Sequence, residues 1–202
     1  MKEQLAFKSI WVSPRKDFLV AWETWTSASF RILTRKLLVI FIDIDKVFRE
    51  DLRYDKKYYK SKLTTKQDAA LMMCYLHGQP IAFAMRYYDN NPKGFQANLD
   101  KKVWFADEMA VKKDFQNRGV GPTLMNLSFI LGDMLGYEKM FLFCERFSDH
   151  GKNLFEYYKN LGFVPYLKDA DGNAVEAGDH GYPFVINIDP EDAKRMLLHS
   201  IR

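Results

Sequence analysis

Near residue 68 the spacing of apolar residues changes from mostly helical to short runs typical of strands. Before that point, residues 5–12 read as a strand, and the apolar residues of 17–33 recur at mixed helical spacing, which predicts one or two helices. Segment 37–52 is ambiguous between helix and strand by periodicity alone. We favour a helix there because the apolar positions continue at helical spacing, and 54–62 extends this helical region.

After residue 68, short apolar runs bounded by turn residues indicate strands, and two longer segments have the caps and spacing of helices. The predicted strands are 69–76, 80–88, 103–111, 139–144, 163–167 and 183–188, and the predicted helices are 122–135, 152–160 and a short one after 189. Elements in this order predict an α/β fold with a mixed, mostly antiparallel central sheet and crossover helices.

The length of the chain favours one domain over residues 1–202. Within it we expect a variable N-terminal strand and helices over 1–67, a core over 68–188 and a C-terminal helix over 189–202.

A glycine-containing segment, Gln116-Asn117-Arg118-Gly119-Val120-Gly121, separates the strand predicted at 103–111 from the helix predicted at 122–135. Glycine lets the backbone approach a ligand closely because no side chain intervenes. The first amide groups of a helix, at the positive end of its dipole, then face an anion. The segment therefore predicts a site for a phosphate-bearing ligand.

Composition narrows the class of protein only a little. A formal charge of +4 and a pI near 8.9 suit an anionic ligand but are too weak to indicate nucleic acid, and the basic run 56–66 is typical of a solvated helix face. The two cysteines, Cys74 and Cys144, make neither a disulfide framework nor a zinc pattern, so we expect no metal and a reducing, cytoplasmic location. No signal-peptide core is present near the N-terminus, and the apolar run 37–42 is too short to span a membrane.

Two motifs together resemble the GCN5-related N-acetyltransferase (GNAT) superfamily. One is Gln116-x-x-Gly119-x-Gly121 after a strand that ends in Met109-Ala110-Val111, and the other is the segment from Phe155 to Phe163. The resemblance extends from about residue 69 to 188 and implies the GNAT fold, with acetyl-CoA as cosubstrate bound by the 68–188 core.

The resemblance also implies which residues bind the cosubstrate. The pyrophosphate would lie on the backbone amides of Gln116 to Gly121, which include those of Asn117, Arg118, Gly119 and Val120. The pantetheine arm would pair with the backbone of Met109, Ala110 and Val111, where two strands splay apart. Arg118 could pair with a phosphate oxygen or point to solvent. Asn153 is near the place of a family asparagine that contacts the arm, although Gly151 occupies the equivalent position.

Tyr158 is the expected catalytic residue, because in the family the matching tyrosine protonates the departing thiolate. Helical spacing places it on one face with Leu154 and Leu161, so that it points towards the sheet, and turns Tyr157 about 100° away. A core tyrosine with a satisfied hydroxyl is the alternative interpretation.

The group that takes the proton from the attacking amine is less clearly marked. Glu108 matches a position where many relatives have an acid, whereas others use an upstream position that Phe105 occupies here. Because neighbouring strand residues face opposite sides, we expect only one of Asp107 and Glu108 to face the cleft. A relay through ordered water is an equal alternative.

The resemblance implies transfer of acetyl to a primary amine, on a small molecule or a peptide, by direct attack in a ternary complex. A non-catalytic acyl-CoA- or partner-binding module and an acyltransferase for longer acyl groups are the alternatives. A homodimer is a fair default for the assembly.

Overall fold

A twisted sheet forms the frame of the molecule in the computed structural model, which describes residues 12–15, 18–26, 42–48, 53–76, 79–89, 102–147, 151, 153–166, 181–189 and 191. Its strands are β1 (Val12–Arg15), β2 (Phe18–Thr26), β3 (Ala70–Leu76), β4 (Gln79–Tyr88), β5 (Val103–Val111), β6 (Lys139–Cys144), β7 (Val164–Pro165) and β8 (Tyr182–Asn187). Among the described residues the order is β1-β2-β3-β4-β5-β6-β8-β7, and every neighbouring pair is antiparallel except β5 and β6. The predicted fold class, a mixed and mostly antiparallel sheet, is confirmed.

In the part of the chain that the structure describes, three α-helices of seven or more residues pack on this sheet: α1 (Lys56–Thr65), α2 (Val120–Met134) and α3 (Leu154–Asn160). A side-chain oxygen begins two of them, since Asp55 accepts from the amide of Tyr58 in α1 and Asn153 accepts from the amide of Glu156 in α3. At the other end of α2, Gly136 has φ of +73°, the left-handed conformation in which helices commonly end.

The helices cover opposite faces of the sheet. Tyr59 of α1 is buried with Phe83, Phe105 and Phe141 on one face, here called the α1 face. The other face, the α2/α3 face, buries Trp104, Met140 and Phe184 against Met125 and Phe129 of α2. The alternation of side chains along each strand sorts the residues between the two faces, so a position on a strand determines which helix it meets.

The parallel pair β5 and β6 is short, and this opens the sheet on one side. Val103, Trp104 and Phe105 pair with Lys139, Met140 and Phe141, and the pairing then stops. The rest of β5, from Ala106 to Val111, stays paired with β4 on its other edge. The edge that faces away from β4 therefore has no strand partner among the described residues, as the predicted splay requires.

A β-bulge interrupts β5 beside this opening. Met85 of β4 pairs with Glu108 while the next residue, Arg86, pairs with Ala106, so Asp107 is the extra residue. A bulge shifts the alternation of side chains by one residue. Here the shift affects the directions of Asp107 and Glu108.

One N-terminal prediction is wrong. Residues 18–26, predicted as part of a helix over 17–33, form strand β2, which pairs with β3 from Val20–Leu76 to Thr26–Ala70. The segment FLVAWETWT is rich in aromatic and β-branched residues, and pairing with a distant strand outweighs its mixed helical spacing.

The other predicted elements are present with small changes at their ends. The helix predicted at 122–135 begins two residues earlier, at Val120, and the strand predicted at 163–167 shortens to Val164–Pro165. Residues 42–45 are helical, as expected for part of 37–52. Residues 46–48 form a turn and 53–55 are not helical, so the continuous helical region predicted through 62 is wrong in its described middle part, and α1 begins separately at Lys56. The strand predicted at 5–12 and the helix predicted over 189–202 lie largely outside the described residues.

Candidate active site

The segment between β5 and α2 is held against the end of the strand by Gln116. Its side-chain Nε2 donates to the carbonyl of Val111 at 3.0 Å, and its backbone amide donates to the carbonyl of Lys113 at 3.2 Å. The amide of Gln116, predicted to face a phosphate, is therefore already bonded within the chain. Gln116 instead fixes where the following amides lie.

The turn from Asn117 to Gly121 presents the beginning of α2. Asn117 and Gly119 have φ of +59° and +79°, and Gly119 is the residue from which the helix begins. The amide of Thr123 donates to the carbonyl of Gly119 and closes the first turn. The amides of Val120 and Gly121 precede that bond, and a helix leaves its first amides without an intrahelical partner. These donors, at the positive end of a 15-residue helix, suit an anion.

Arg118 lies on the exposed side of this turn. Its guanidinium carbon is 5.6 Å from the centre of the Phe115 ring, an arrangement typical of a cation–π contact. Phosphate pairing by Arg118 stays a prediction.

Met109, Ala110 and Val111 lie on the open edge of β5, next to that turn. Met109 joins the strand to the turn, because its Cε lies 3.9 Å from the place where a Cβ on Gly121 would be. The open backbone edge and the helix N-terminus are thus neighbours, and an extended molecule with an anionic end could contact both.

Tyr158 points towards the sheet, as its helical position predicts. Its ring packs edge-on against Phe163 at 5.6 Å and lies 6.2 Å from Phe184, on the α2/α3 face. Burial raises the pKa of Tyr158, and the positive charge of Arg86 opposes that rise. The hydroxyl therefore holds its proton at neutral pH, which a proton donor requires.

Tyr157, which sequence reasoning sets aside, meets the glycine turn. Its hydroxyl oxygen lies 3.3 Å from the place where a Cβ on Gly121 would be. Burial raises the pKa of Tyr157 to about 12. The turn of 100° that separates it from Tyr158 directs it towards the N-terminus of α2. Only the packing of α3 against α2 reveals this neighbour, because no spacing within the chain indicates it.

Glu108 belongs to a buried proton-sharing group on the α1 face. The hydroxyl of Tyr59 lies 2.7 Å from Glu108 Oε2 and 2.9 Å from Asp45 Oδ1. Burial, and then the charge of Asp45, raise the pKa of Glu108 well above its ordinary value, and burial also raises that of Asp45. A tyrosine hydroxyl carries one proton and can donate fully to only one carboxylate. The arrangement favours retention of a proton by this group to a higher pH than isolated carboxyls allow.

Asp107 and Glu108 lie on the same face, which corrects the expectation that only one could. The hydroxyl of Tyr58 donates to Asp107 Oδ2 at 2.7 Å, and the adjacent Tyr59 contacts Glu108. The bulge at Asp107 is the physical reason, because the extra residue cancels the alternation between neighbours. Both carboxyl groups therefore meet α1.

A profile of the acetyltransferase (GNAT) family matches residues 21–163 of the chain, and this range contains the turn, the open edge and both tyrosines. The chain is a member of the GNAT family.

A curated relative of this GNAT-family chain is an uncharacterised N-acetyltransferase of Methanocaldococcus jannaschii, 27% identical over 145 residues. The match covers 67% of this chain, and the chain spans 60% of the length of that relative.

Solved structures share the fold at low sequence identity. The ribosomal-protein-S18-alanine N-acetyltransferase of Escherichia coli aligns with a TM-score of 0.56 and 16% identity, over 83% of this chain and 94% of that one. The Tetrahymena GCN5 structure gives a TM-score of 0.56 and 18% identity, over 84% and 96%. The PaiA N-acetyltransferase of Thermoplasma acidophilum, solved with coenzyme A, gives 0.55 and 12%, over 82% and 98%.

Asn153 has a hydrogen-bond partner within the chain. Its side chain begins α3 by accepting from the amide of Glu156 at 3.0 Å, and its backbone forms a bridge with Phe147. A contact with the cosubstrate stays a prediction, and the capping bond uses its side-chain oxygen.

The described residues contain no group of three or more His, Cys, Asp or Glu side chains that could hold a metal ion. Within the same ranges, no helix combines the length and apolarity needed to cross a membrane.

Proposed function

We propose that this acetyltransferase transfers acetyl from acetyl-CoA to a primary amine by direct attack in a ternary complex. The observation that carries the proposal is the parting of β5 from β6 after Phe105 and Phe141, beside the first amides of α2. An open strand edge offers hydrogen bonds to an extended amide-containing arm. The helix N-terminus offers donors to the diphosphate at the other end of the same molecule.

The cosubstrate residues follow from that fit. The amides of Val120 and Gly121, with those of the turn from Asn117 to Gly119, would hold the pyrophosphate. The backbone of Met109 to Val111 would pair with the pantetheine arm along the open edge of β5. Tyr157, whose hydroxyl approaches Gly121, would line the same path.

Tyr158 would supply a proton to the thiolate of coenzyme A as it departs. Glu108, in its proton-sharing group with Tyr59 and Asp45, would take the proton that the amine releases, directly or through water. A raised pKa suits this role, because a general base works best when its pKa lies near the working pH.

Direct attack is favoured over a covalent cysteine intermediate. Cys144, which lies on the α2/α3 face with Tyr158, is buried, and burial raises the pKa of its thiol to about 12. At neutral pH such a thiol is almost wholly protonated, and the protonated form is a poor nucleophile. Its buried, unpaired state also suits the reducing cytoplasm that we propose as the location.

The acceptor would approach from the α1 face. Tyr54 and Tyr58 stack there with ring centres 3.8 Å apart, and Tyr58 contacts the carboxylate of Asp107. Aromatic faces and carboxylates both attract ammonium groups. The class of acceptor that fits is an amine on a small molecule or a peptide.

The test is a thermal-shift titration with CoA, followed by a screen of amines for release of free thiol from acetyl-CoA. Stabilisation by CoA is expected, and no shift would overturn the proposal. A shift without thiol release from any amine would indicate a non-catalytic binding module. Preference for a longer acyl-CoA in competition would indicate a different acyl donor.

A pair of glycine variants sharpens the titration. Gly119→Glu places a bulky negative charge where the pyrophosphate would lie and should abolish the CoA-dependent shift. Gly136→Glu is the matched control, since Gly136 ends the same helix with φ of +73° against +79° at Gly119, and no described atom lies within 4 Å of its Cβ position. Both variants strain the backbone alike, so equal loss of the shift would contradict the assignment.

A further inference from the structure

Arg86 of β4 is a buried cation with an incomplete set of partners. It is 1% exposed, and its Nη1 donates to the carbonyls of Met85 and Glu108, each at 2.8 Å. Its Nε and Nη2 are buried and have no hydrogen-bond partner among the described residues. Buried donors are nearly always satisfied, and leaving charged ones unpaired costs free energy. Because burial of Arg86 without full pairing costs free energy, we expect its positive charge to serve a function at this position.

The position of Arg86 on the sheet places it on the side of Tyr158. Its neighbours in β4, Met85 and Tyr87, belong to the core of the α1 face, so alternation directs Arg86 to the α2/α3 face. Tyr158 of α3 packs on that same face. The charges of the two residues interact, since each shifts the pKa of the other.

The guanidinium stays charged under working conditions. Burial lowers the pKa of Arg86 only to about 10, while Tyr158 and Asp107 act in the opposite direction. The other titratable groups around Tyr158 are Tyr157 on its own helix and Cys144 on β6, and both are neutral at pH 7 because burial raises their pKa values. Among the described residues, Arg86 is thus the positive charge that acts on Tyr158.

We propose that Arg86 is a positioning residue for acetyl transfer, whose fixed positive charge stabilises the oxygen of Tyr158 as that oxygen gives up its proton. The inference rests on the proposed function. As the new N–C bond is completed, the C–S bond breaks, its electron pair goes to sulfur, and sulfur takes the proton of Tyr158. The phenolate left behind carries a full negative charge until solvent reprotonates it.

The enclosure of Arg86 favours this indirect role over ligand binding. Its unpaired nitrogens are shielded from solvent, so a ligand has no direct access to them. No carboxylate is hydrogen-bonded to the guanidinium among the described residues. This suits an electrostatic role, because a carboxylate paired with Arg86 would cancel much of the positive potential at the oxygen of Tyr158.

A structural role is the competing explanation, since the bond from Nη1 to the Glu108 carbonyl also secures the bulged part of β5. A double-mutant cycle with Arg86→Met, Tyr158→Phe and the combined variant separates the two. We expect Arg86→Met to lower kcat about 10- to 100-fold with the KM for acetyl-CoA unchanged, and to cause no further loss when Tyr158 is already phenylalanine. Equal losses in both backgrounds would overturn the inference.

Arg86→Lys provides a second test if the methionine variant does not fold. A buried lysine loses its proton more readily than arginine. This variant should be active near neutral pH and lose kcat at alkaline pH where the parent enzyme keeps it. A folded Arg86→Lys enzyme that matches the parent at every pH, or is equally inactive at every pH, would contradict the proposal. If the parent enzyme neither binds CoA nor releases thiol, the proposed function itself has failed.

Discussion

Two adjacent tyrosines of α3 face different parts of the site. Tyr158 packs into the α2/α3 face near Arg86, whereas the hydroxyl of Tyr157 approaches the glycine turn at Gly121. Because both side chains lose only one oxygen when changed to phenylalanine, their variants form a matched pair. The pair tests which hydroxyl takes part in chemistry and which in binding.

Tyr158→Phe should lower kcat by about 10²- to 10⁴-fold, the range expected for loss of a general acid, while the KM for acetyl-CoA stays near that of the parent. Tyr157→Phe should raise that KM and leave kcat within a few-fold. Steady-state kinetics with acetyl-CoA as the varied substrate measure both. The reverse pattern would exchange the two roles.

Variants of Glu108 and Asp107 test which of these two acids acts as the base. Glu108→Gln should lower kcat at neutral pH by about 10²-fold or more, because it removes the proposed base while keeping the size of the side chain. In the parent, the acid limb of kcat/KM should lie above the usual glutamate range, since burial raises the pKa of Glu108.

Asp107→Asn is the control for that experiment. Asp107 lies on the same face and bonds to Tyr58 rather than Tyr59. This variant should keep kcat within a few-fold of the parent value and raise only the KM for the amine acceptor, because Asp107 borders the proposed acceptor side. If the Asp107 variant loses the acid limb and the Glu108 variant keeps it, the assignment of the base is wrong.

At the scale of elements, the junction between β6 and β8 depends on a glycine. Gly181 has φ of +85°, and a Cβ there would lie 2.3 Å from the carbonyl oxygen of Cys144. Real side chains do not approach backbone so closely. The last residue of β6, Cys144, can therefore pair with the first residue of β8, Tyr182, only because residue 181 has no side chain.

Gly181→Ala should reduce the free energy of unfolding by about 3 kcal/mol, the sum of left-handed backbone strain and steric displacement of β6. Gly151→Ala is the control for strain alone, since Gly151 has φ of +72° and no described atom within 4 Å of its Cβ position. That variant should lose only about 1 kcal/mol. Urea unfolding measures both, and equal losses would rule out the steric component.

At the scale of the whole molecule, the buried acids should make stability depend on pH. Burial raises the pKa of Glu108 and of Asp45 in the folded state. Between the unfolded and folded pKa values the folded chain binds more protons, so the free energy of unfolding falls as pH rises. The stabilising effect is complete below about pH 4.5, the ordinary glutamate range, and is lost as pH rises through the folded value.

Glu108→Gln should flatten this dependence, because glutamine does not titrate. Each unit of raised pKa corresponds to about 1.4 kcal/mol, so the slope is measurable by urea unfolding from about pH 5 to about pH 8. Glu156→Gln serves as the control, since Glu156 lies on the exposed side of α3 and pairs with Lys159. A parent protein whose stability does not fall over this range would contradict the description of the buried group.

Much of the core and of the anion site follows from local sequence. The bounds of β5 and β6 agree with the segments predicted at 103–111 and 139–144, because alternating apolar runs and their turns are local features. The glycine turn before α2 is local in the same sense, since a left-handed residue followed by a helix depends on a few neighbours. Local sequence is therefore sufficient to predict the order of the core elements and the glycine turn at which we propose that a phosphate binds.

The contacts between elements that are distant in the chain could not be predicted from local sequence. The strand character of 18–26 depends on β3, and the shared face of Asp107 and Glu108 depends on a bulge against β4. The approach of Tyr157 to Gly121 and the burial of Arg86 with two unpaired nitrogens likewise depend on elements far apart in the chain. Strand pairing and burial are set by residues that are remote in sequence, and periodicity carries no record of those partners.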